Sequence, residues 1–362
     1  MHLLVDISAH GLGHLAQTAP VLDALRALVP GLRLTVRSGL PRERLARRIG
    51  GDFAHVAEAR DFGFVMHNAV DIDFVASARR YREFHADWTR RVATEADWLR
   101  RHRVDALLSN VAYLPLAAAN AAAIPSACLC SLNWADLFAR YFGGEPWAAE
   151  IHAQMLDAYN AGLGFLRLTP GLPMADMQRR RGISPIAKIG RRDRPRLAQL
   201  LDIEENERWI ALAMGGMPFR LPVQNWSPTP GLNWLVPNEW KIERDDVRNF
   251  DIPGLDFSDL LASVDAVVTK PGYGTFVEAA CGCIPILYLQ RDDWPETPHF
   301  AAWLALHARA QVLARERLIA GDFIDELHRL WQTPLPAAPR ADGADEAALW
   351  LATALGLARG RP

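Results

Sequence analysis

Hydrophobic runs alternate with amphipathic segments from the first residues of the chain onward. The apolar run at 2–7 predicts a buried strand, the periodic segment 15–28 predicts a helix, and residues 32–36 predict a second strand. Strand, helix and strand in this order form a βαβ unit, which implies a parallel sheet. The alternation continues with a long polar-faced helix at 81–101, a strand at 105–109, a helix at 116–123 and a strand at 127–132.

The alternation stops over residues 169–196, which are rich in proline, glycine and arginine. This composition predicts a linker, and its arginines are interpreted as a solvated connector, with an anion-binding face as the alternative. The pattern then resumes with strands at 209–214, 232–236, 266–269 and 284–289 and helices at 257–262 and 275–281. We therefore predict two α/β domains, at 1–168 and 197–335, followed by a tail at 336–362 whose last helix covers about 344–358.

Composition agrees with this organisation and excludes several classes of protein. The 362 residues correspond to about 2.4 domains of roughly 150 residues, and 50% of them are hydrophobic, enough for two cores. A formal charge of −2 provides no overall field for a nucleic-acid backbone, so no nucleic-acid partner is expected. No apolar run is long enough for a transmembrane segment or begins like a signal sequence, which favours a cytoplasmic protein.

The four cysteines do not predict a metal site. Cys128 and Cys130 are separated by a single residue, as are Cys281 and Cys283, and no histidine lies close to either pair in the sequence. This spacing is tighter than the C-x-x-C of zinc sites, so we interpret the cysteines as free thiols.

The first candidate for chemistry is the loop between the first strand and the first helix, which contains His10, Gly11, Gly13 and His14. Its glycines permit a tight turn and a close approach to a ligand, and the following helix N-terminus can bind an anion. A dinucleotide site is one alternative, although Arg37 at the end of the second strand would allow only NADP. The histidines fit a general base at the sheet's carboxyl edge, with a purely structural hydrogen bond as the other alternative.

Two further candidate loops follow later strands. In the first, Lys270 is one of only three lysines and precedes Gly272, Gly274 and the following helix, whose Thr275 is the predicted N-cap and forms a capping box with Glu278. This turn could hold a phosphate, and it lacks the Walker pattern of ATP-dependent kinases. In the second, the carboxylates of Asp292, Asp293 and Glu296 could accept hydrogen bonds from sugar hydroxyls, whereas the same residues alone would be interpreted as a surface turn.

Taken together, these loops resemble those of the GT-B superfamily of nucleotide-sugar glycosyltransferases, in the branch related to family 28. They are most similar to the glycosyltransferase-like N-terminal region of plant L-arabinokinases, which carries a comparable GHGxGH loop and a K-x-GYGT-x-x-EA segment, here Lys270 to Ala279. The sugar-kinase domain of those proteins is absent from this sequence, so kinase activity is not inferred. The resemblance implies two Rossmann-like domains whose parallel sheets face each other across a cleft.

The resemblance also implies a role for each loop. The N-terminal domain would bind the acceptor through His10, Gly11, Gly13 and Asn110, and His14 would deprotonate the acceptor hydroxyl. The C-terminal domain would bind the donor diphosphate, with Glu278 on the ribose and Asp292, Asp293 and Glu296 on the transferred sugar. The residues implied at the diphosphate are Gly215, Gly216, Lys270, Gly272, Tyr273, Gly274 and Thr275.

The same resemblance predicts an inverting reaction that needs no cofactor or metal, because helix dipoles and backbone donors stabilise the departing diphosphate. The nucleotide-sugar is the co-substrate, and the acceptor is a small molecule, a lipid-linked compound or a glycan. Asp71-Ile72-Asp73 is accordingly interpreted as a polar loop and not as a metal site. Two alternatives stay open, a nucleotide-sugar hydrolase and a non-catalytic nucleotide-sugar-binding module.

One residue departs from the pattern of the relatives. Some of them orient the base histidine with an aspartate after a later strand, whereas this chain has Asn110 there. An asparagine can position an imidazole but does not stabilise its positive charge as a carboxylate does. Asp6 and Asp136 are candidates to replace the missing carboxylate.

Overall fold

The computed structural model describes residues 1–216 and 219–357, and it divides into two compact units. Unit 1 comprises Met1–His67, Asp71–Ile186 and the chain from Asp342 onward, and unit 2 comprises Asn68–Val70 and Ala187–Ala341. Each unit contains one sheet whose strands are all parallel. The predicted α/β class with two parallel sheets is confirmed.

Unit 1 has a seven-stranded sheet flanked by helices. Its strands are β1 (His2–Ile7), β2 (Arg33–Arg37), β3 (Ala54–Val56), β4 (Ala106–Asn110), β5 (Ser126–Cys130), β6 (Phe165–Leu168) and β7 (Arg180–Ile183). Its first seven helices are α1 (Gly13–Leu28), α2 (Arg42–Ala46), α3 (Phe74–Ala86), α4 (Trp88–Arg101), α5 (Leu114–Ala121), α6 (Trp134–Phe142) and α7 (Ala148–Ala161). The strands lie in the order β3-β2-β1-β4-β5-β6-β7, and β1, β4 and β5 are buried along their whole length because helices cover the sheet.

Unit 2 has a six-stranded sheet of the same kind. Its strands are β8 (Arg208–Ala213), β9 (Leu232–Val236), β10 (Val247–Asn249), β11 (Ala266–Thr269), β12 (Ile286–Leu289) and β13 (Ala310–Leu313). Its helices are α8 (Arg194–Leu201), α9 (Phe257–Ser263), α10 (Tyr273–Cys281), α11 (Thr297–His307), α12 (Arg315–Ala320) and α13 (Ile324–Gln332), with short 3₁₀ turns at Val223–Asn225 and Asn238–Trp240. The strand order is β10-β9-β8-β11-β12-β13, and Trp226, Trp234 and Phe323 meet edge to face in its core.

Two elements differ from the sequence prediction. The single helix predicted at 81–101 is two helices, α3 and α4, which meet at Asp87. The segment predicted as a linker, 169–196, contains β7 at the edge of the first sheet and the start of α8. β7 has three exposed residues out of four, so it lacks the apolar run by which a buried strand is predicted.

The arginines of that segment bind backbone oxygens of the protein itself. Arg179 donates to the carbonyl of Gly162, and Arg180 donates to the carbonyl of Met174. Arg194 pairs with Asp265 at 3.0 Å. The donors of these three side chains are used in contacts within the protein. The contacts therefore favour neither the solvated connector nor the anion-binding face.

The last helix, α14 (Gly343–Ala354), belongs to unit 1 and packs on α1. Its first residue, Gly343, donates its backbone N–H to the carbonyl of Pro185, and an added Cβ would lie 2.0 Å from the carbonyl oxygen of Ser184. Only a glycine allows the helix to begin this close to the chain that follows β7. The end of the predicted tail, 358–362, lies outside the described residues.

We expect Leu351→Ala to lower the free energy of unfolding of unit 1 by about 2–5 kcal/mol, because Leu351 is fully buried in α14 and its removal leaves a cavity. Leu349 on the same helix is 64% exposed, so Leu349→Ala should change the free energy by no more than about 0.5 kcal/mol. Urea unfolding followed by circular dichroism measures both values. Equal effects of the two substitutions would show that α14 contributes little to this unit.

Candidate functional site

The order of the strands creates a ligand-binding position in unit 1. The chain proceeds outward from β1 to β3 and then returns to place β4 beside β1, with Ile7 opposite Asn110. The loops after β1 and β4 therefore leave the sheet in opposite directions, and such a switch point is where open parallel sheets bind ligands. The structure thereby brings together the predicted residues His14, at the start of α1, and Asn110, the last residue of β4.

A network of hydrogen bonds fixes the orientation of the Asn110 side chain. Its Nδ2 lies 3.0 Å from Gln17 Oε1 and 2.9 Å from Thr18 Oγ1, and it also donates to the carbonyl of His14. Gln17 is oriented in turn because its own amide nitrogen donates to Ser131. With Nδ2 surrounded by acceptors, Oδ1 is the atom that faces the His14 ring.

This arrangement selects one tautomer of the neutral His14 ring. Asn110 Oδ1 lies 2.8 Å from His14 Nδ1 and can only accept, so Nδ1 carries the proton of the neutral ring. The lone pair is then on Nε2, which can accept a proton from another molecule. The side chain is 6% exposed, so its orientation is held within packed surroundings. The departure from a carboxylate partner therefore preserves the orienting role, although an amide does not stabilise the imidazolium.

Trp134 is a central residue of this site that the sequence analysis missed. Its ring centroid lies 5.2 Å from that of His10 and 5.9 Å from that of His14. Its indole nitrogen donates to Asp61 at 2.7 Å, and the lack of a Cβ at Gly63 leaves room for both Trp134 and His10. Trp134 begins α6, close after the carboxyl end of β5, and that position was the available signal.

Asp61 carries the most perturbed carboxylate of this region. Burial raises its pKa to about 6, and the proximity of Asp6 adds to this shift, while hydrogen bonds from Trp134 and Ser8 oppose it. Asp61 lies between β3 and α3, in a stretch without regular secondary structure. No periodic pattern marks such a residue, so it could not be selected from the sequence.

Asp6 does not take the place of the missing carboxylate at His14, because it forms an ion pair with another residue. Arg37 donates to both of its oxygens, at 2.6 and 2.8 Å, and also pairs with Glu95 at 2.5 Å. The guanidinium is fully buried and lies 4.6 Å from the ring of Trp98. Arg37 is thus committed to the core and does not serve as the 2′-phosphate ligand that an NADP site needs. His14 Nδ1 lies 2.8 Å from Asn110 Oδ1 and 3.7 Å from Cys130 Sγ, and the backbone N–H of Asp136 donates to the side chain of Asn133, the N-cap of α6.

Unit 2 has a switch point of the same type between β8 and β11. Thr269 lies opposite Ala213 and donates its hydroxyl to the carbonyl of that residue at 2.6 Å. The loops after these strands contain the predicted Gly215 and Gly216 on one side and Lys270 on the other. Gly215 has a φ of +85°, a conformation that favours glycine. A Cβ there would lie 3.1 Å from Lys270 Cε, so the two loops are in close contact.

Helix α10 begins directly after this loop, two residues earlier than predicted. Its N-cap is Gly272, and no side chain caps the helix, so the predicted capping box of Thr275 and Glu278 is wrong. The residues Tyr273, Gly274 and Thr275 form the first turn, whose N–H groups have no acceptor within the helix. This end of the helix presents donors and a partial positive charge. Glu278 lies one turn further on and is 3% exposed.

Lys270 is held at the start of this helix under unusual electrostatic conditions. Its pKa is lowered to about 8, mainly by burial and also by Arg291, while Glu296 opposes the shift. Arg291 is 6% exposed and lies 4.3 Å from the ring of Trp294. Two cations close to an uncapped helix N-terminus are suited to bind an anion. Arg291 was missed because an isolated arginine in an arginine-rich chain carries no distinguishing pattern.

The three predicted sugar-binding carboxylates have different environments. Asp292 and Asp293 are exposed, and they accept hydrogen bonds from Gln290 and Arg291 respectively. Glu296 is 5% exposed, accepts a hydrogen bond from the indole of Trp294 at 3.0 Å and interacts with Lys270. Because β12 lies beside β11, all three follow a strand adjacent to the Lys270 loop.

Asp71 and Asp73, the acidic pair in the sequence, do not form part of this site. Asp73 caps helix α3 by accepting a hydrogen bond from the backbone of Ala76 at 2.8 Å. Within residues 1–216 and 219–357, no three histidine, cysteine or acidic side chains group in a way that could hold a metal ion. Over the same residues, no helix has the length and apolar character needed to cross a membrane.

Solved structures match nearly the whole chain. The glycotransferase of kitacinnamycin superposes with a TM-score of 0.62 at 16% identity, over 99% of this chain and 96% of that one. This chain has the GT-B fold. The glycosyltransferase VinC in complex with dTDP gives a TM-score of 0.57 at 17% identity, over 98% of this chain and 100% of VinC.

Proteins of this fold do not all catalyse the same reaction. A UDP-N-acetylglucosamine 2-epimerase also matches, with a TM-score of 0.55 at 13% identity, over 100% of this chain and 98% of the epimerase. No protein-family model matches the chain. The GT-B fold alone therefore does not identify the reaction, which has to be argued from the residues of the site.

A curated protein, L-arabinokinase of Arabidopsis thaliana, is similar in sequence. It is 24% identical over 336 residues, which are 89% of this chain. The chain spans 31% of the length of that relative. The similarity agrees with the resemblance inferred from the loop motifs, and the activity of the longer relative is not transferred to this GT-B chain.

We expect His14 to carry its neutral-ring proton on Nδ1, because Asn110 presents an acceptor there. Long-range ¹H–¹⁵N spectra of histidine-labelled protein at pH 8 would then show Nε2 without a proton. Asn110→Ala should weaken this preference and lower the free energy of unfolding by about 1–3 kcal/mol, since buried acceptors lose their donor. Asn120→Ala, on the exposed end of α5, is the matched control. A ring protonated on Nε2 in the unmodified protein would contradict the inferred network.

Proposed function

We propose that the chain is an inverting glycosyltransferase, which transfers a sugar from a nucleotide-diphospho-sugar to an acceptor hydroxyl. The observation that carries this proposal is the pairing of two different switch points in one chain. One holds a histidine with a fixed tautomer, and the other holds a lysine at an uncapped helix N-terminus. A base and an anion site are the two elements that glycosyl transfer from a diphosphate requires.

In this proposal His14 acts as the general base of the reaction. Its Nε2 takes the proton from the acceptor hydroxyl, and the hydroxyl oxygen then attacks the anomeric carbon of the donor. Attack from the side opposite the departing diphosphate inverts the configuration at that carbon. Asn110 keeps Nδ1 protonated and the ring oriented, while His10, Gly11 and Gly13 form the acceptor side of the loop.

The diphosphate leaves into the loop that precedes α10. The N–H groups of Tyr273, Gly274 and Thr275 and the ammonium group of Lys270 stabilise its developing negative charge. Gly272 and the Gly215–Gly216 turn permit a close approach because they carry no side chain. Glu278 accepts hydrogen bonds from the ribose, and Asp292, Asp293 and Glu296 accept them from the sugar.

We propose that the departure of the diphosphate needs no resident cofactor or metal. Lys270 and the nearby Arg291 supply positive charge, and the N-terminus of α10 adds its dipole. Phosphate oxygens are well matched by these donors. The nucleotide-sugar itself is then a co-substrate that leaves as a nucleoside diphosphate after each turnover.

A panel of UDP-, GDP- and dTDP-sugars separates this proposal from its rivals. Calorimetry measures binding, and a nucleotide-release assay measures turnover with and without an extract of acceptors. Release only with an acceptor supports transfer, whereas release in water alone would identify a hydrolase. Binding without release would identify a non-catalytic module, and isomerised donor without release would identify an epimerase. Tight NADPH binding without any nucleotide-sugar binding would overturn the proposal.

We expect His14→Gln to lower kcat/KM by about 10²- to 10⁴-fold, the usual contribution of a positioned general base. Because the donor site lies in unit 2, nucleotide binding should stay within about twofold of the original. His67 is another histidine of unit 1, with its side chain 63% exposed, and His67→Gln serves as the matched control. Full turnover in the His14 variant would refute the assignment of the base.

We expect the affinity for UDP or dTDP to fall as pH rises through about 8. The lowered pKa of Lys270 means that its ammonium group is present below this value and lost above it. The fall should approach tenfold per pH unit above 8, and Lys270→Arg should abolish it because arginine stays charged. Calorimetric titrations between pH 7 and 9 test this, with the exposed Lys241→Gln as control. An unchanged pH dependence in Lys270→Arg would show that another group titrates.

A further inference from the structure

Unit 1 contains a cavity of about 300 Å³ that the motifs did not indicate. Its walls come from the segment between β3 and α3 and from helices α3, α4 and α5. Asp61 lines the cavity and also accepts the hydrogen bond from the indole of Trp134, whose ring packs against His10 and His14. Asp61 therefore connects the cavity with Trp134, the residue that packs against both histidines.

The cavity combines apolar rings with cations. Phe62 and Phe84 meet edge to face in its wall, with ring centroids 5.8 Å apart. The guanidinium of Arg80 lies 5.0 Å from the ring of Phe62, and that of Arg91 lies 4.9 Å from the ring of Phe84. Each of the two phenylalanine rings thus forms a cation–π contact with one arginine. A flat apolar ligand that packed against these rings would lie beside two positive charges.

These two arginines differ in their pairing from Arg60, the third arginine of the wall. Arg60 is neutralised by Glu95 at 3.0 Å and Glu58 at 2.8 Å. In the described part of the chain, neither Arg80 nor Arg91 forms an ion pair with a carboxylate. Their five-donor forks match a carboxylate or a phosphate well.

The acidic residues of the wall limit what the ligand can be. Glu83 is exposed on α3 and opposes the binding of an anion, whereas Asp61 is largely withdrawn from water and accepts hydrogen bonds. A ligand with its anionic group at the arginines and its hydroxyl toward Asp61 satisfies both ends of the cavity. A ligand without a charge leaves the arginines unused.

We propose that this cavity binds the acceptor and selects a ring-bearing hydroxy compound with a carboxylate or phosphate group. The acceptor role rests on the proposed glycosyl transfer, while the preference for an anion rests on the cavity alone. Arg80 and Arg91 hold the anionic group, and Phe62 and Phe84 contact the ring. Asp61 accepts a hydrogen bond from the bound compound at the side nearest Trp134, and the hydroxyl that reacts is one that reaches His14 Nε2.

The first test compares two probes of equal size, 4-hydroxyphenylacetate and its uncharged amide, by calorimetry without donor. The acid should bind at least about fivefold more tightly than the amide, a modest ratio because both guanidiniums are exposed. The double variant Arg80→Gln/Arg91→Gln should reduce this ratio to less than about twofold. Glu83→Gln should increase the affinity of the acid and leave that of the amide unchanged.

The control is Arg79→Gln, an exposed arginine of α3 outside the cavity wall. Equal binding of acid and amide, or an equal loss in the Arg79 variant, would overturn the proposal. A phosphonate probe that mimics a phosphate group, 4-hydroxybenzylphosphonate, should compete with the acid, and failure to compete would overturn the phosphate part of the proposal.

Turnover separates this proposal from the proposed function. With a nucleotide-sugar and an accepted hydroxy acid, the double variant should raise the acceptor KM by at least about fivefold and leave the donor KM unchanged. A raised donor KM would remove the acceptor role. If the anion preference persists but no nucleotide-sugar binds, the glycosyltransferase proposal fails and the cavity remains a binding site. If transfer occurs without any preference for anions, the cavity proposal alone fails.

Discussion

The parallel pairing of β1 with β4, and of β8 with β11, is the constraint on which both candidate sites depend. In each pair, strands distant in sequence lie side by side: Asn110 lies opposite Ile7, 103 positions earlier, and Thr269 lies opposite Ala213, 56 positions earlier. At these two seams the chain reverses its direction of travel across the sheet, and the following loops diverge and leave a crevice. Burial of the apolar side chains of β1, β4 and β11 stabilises the sheets. The loops can therefore carry histidine, glycine and lysine without contributing to the stability of the fold.

Loops that directly follow an apolar strand could be predicted from the sequence, because strand, turn and helix are adjacent in the chain. This is why the His14 loop and the Lys270 loop were recognised. Asp61 could not be recognised, since its importance comes from its hydrogen bond with Trp134, 73 positions further along the chain. Trp134 was missed although its place close after β5 was a signal, and Arg291 was missed because no pattern distinguishes one arginine in this chain. The start of α10 was misplaced for a related reason. Threonine is a preferred N-cap residue, which placed the predicted start of the helix at Thr275. The backbone is extended at Gly272 and becomes helical from Tyr273, so the helix begins earlier than this preference predicts.

The sequence also suggested that Asn110 weakens a base that other proteins support with a carboxylate. The structure gives the amide a different advantage. An asparagine both donates and accepts, so one side chain joins the His14 ring to its backbone carbonyl, to Gln17 and to Thr18. A carboxylate at this position would place negative charge against the carbonyl of His14 and Gln17 Oε1 and would supply no donor to either. The choice of asparagine is thus explained by its surroundings as much as by the histidine.

Arg37 and Lys270 are both buried cations next to central strands, but their pKa values shift in opposite directions. Burial opposes the charge of Arg37, but Asp6 and Glu95 outweigh this cost, and the pKa of the guanidinium rises. Lys270 has no such compensation, because Arg291 adds to the effect of burial and Glu296 opposes it only in part, so its pKa falls to about 8. The guanidinium of Arg37 is already paired with two carboxylates and gains nothing from a ligand. An anion that bound beside Lys270 would supply the missing charge, and its binding would therefore favour the protonated lysine. The uncompensated charge of Lys270 is thus a more specific argument for the proposed anion site than the glycines alone.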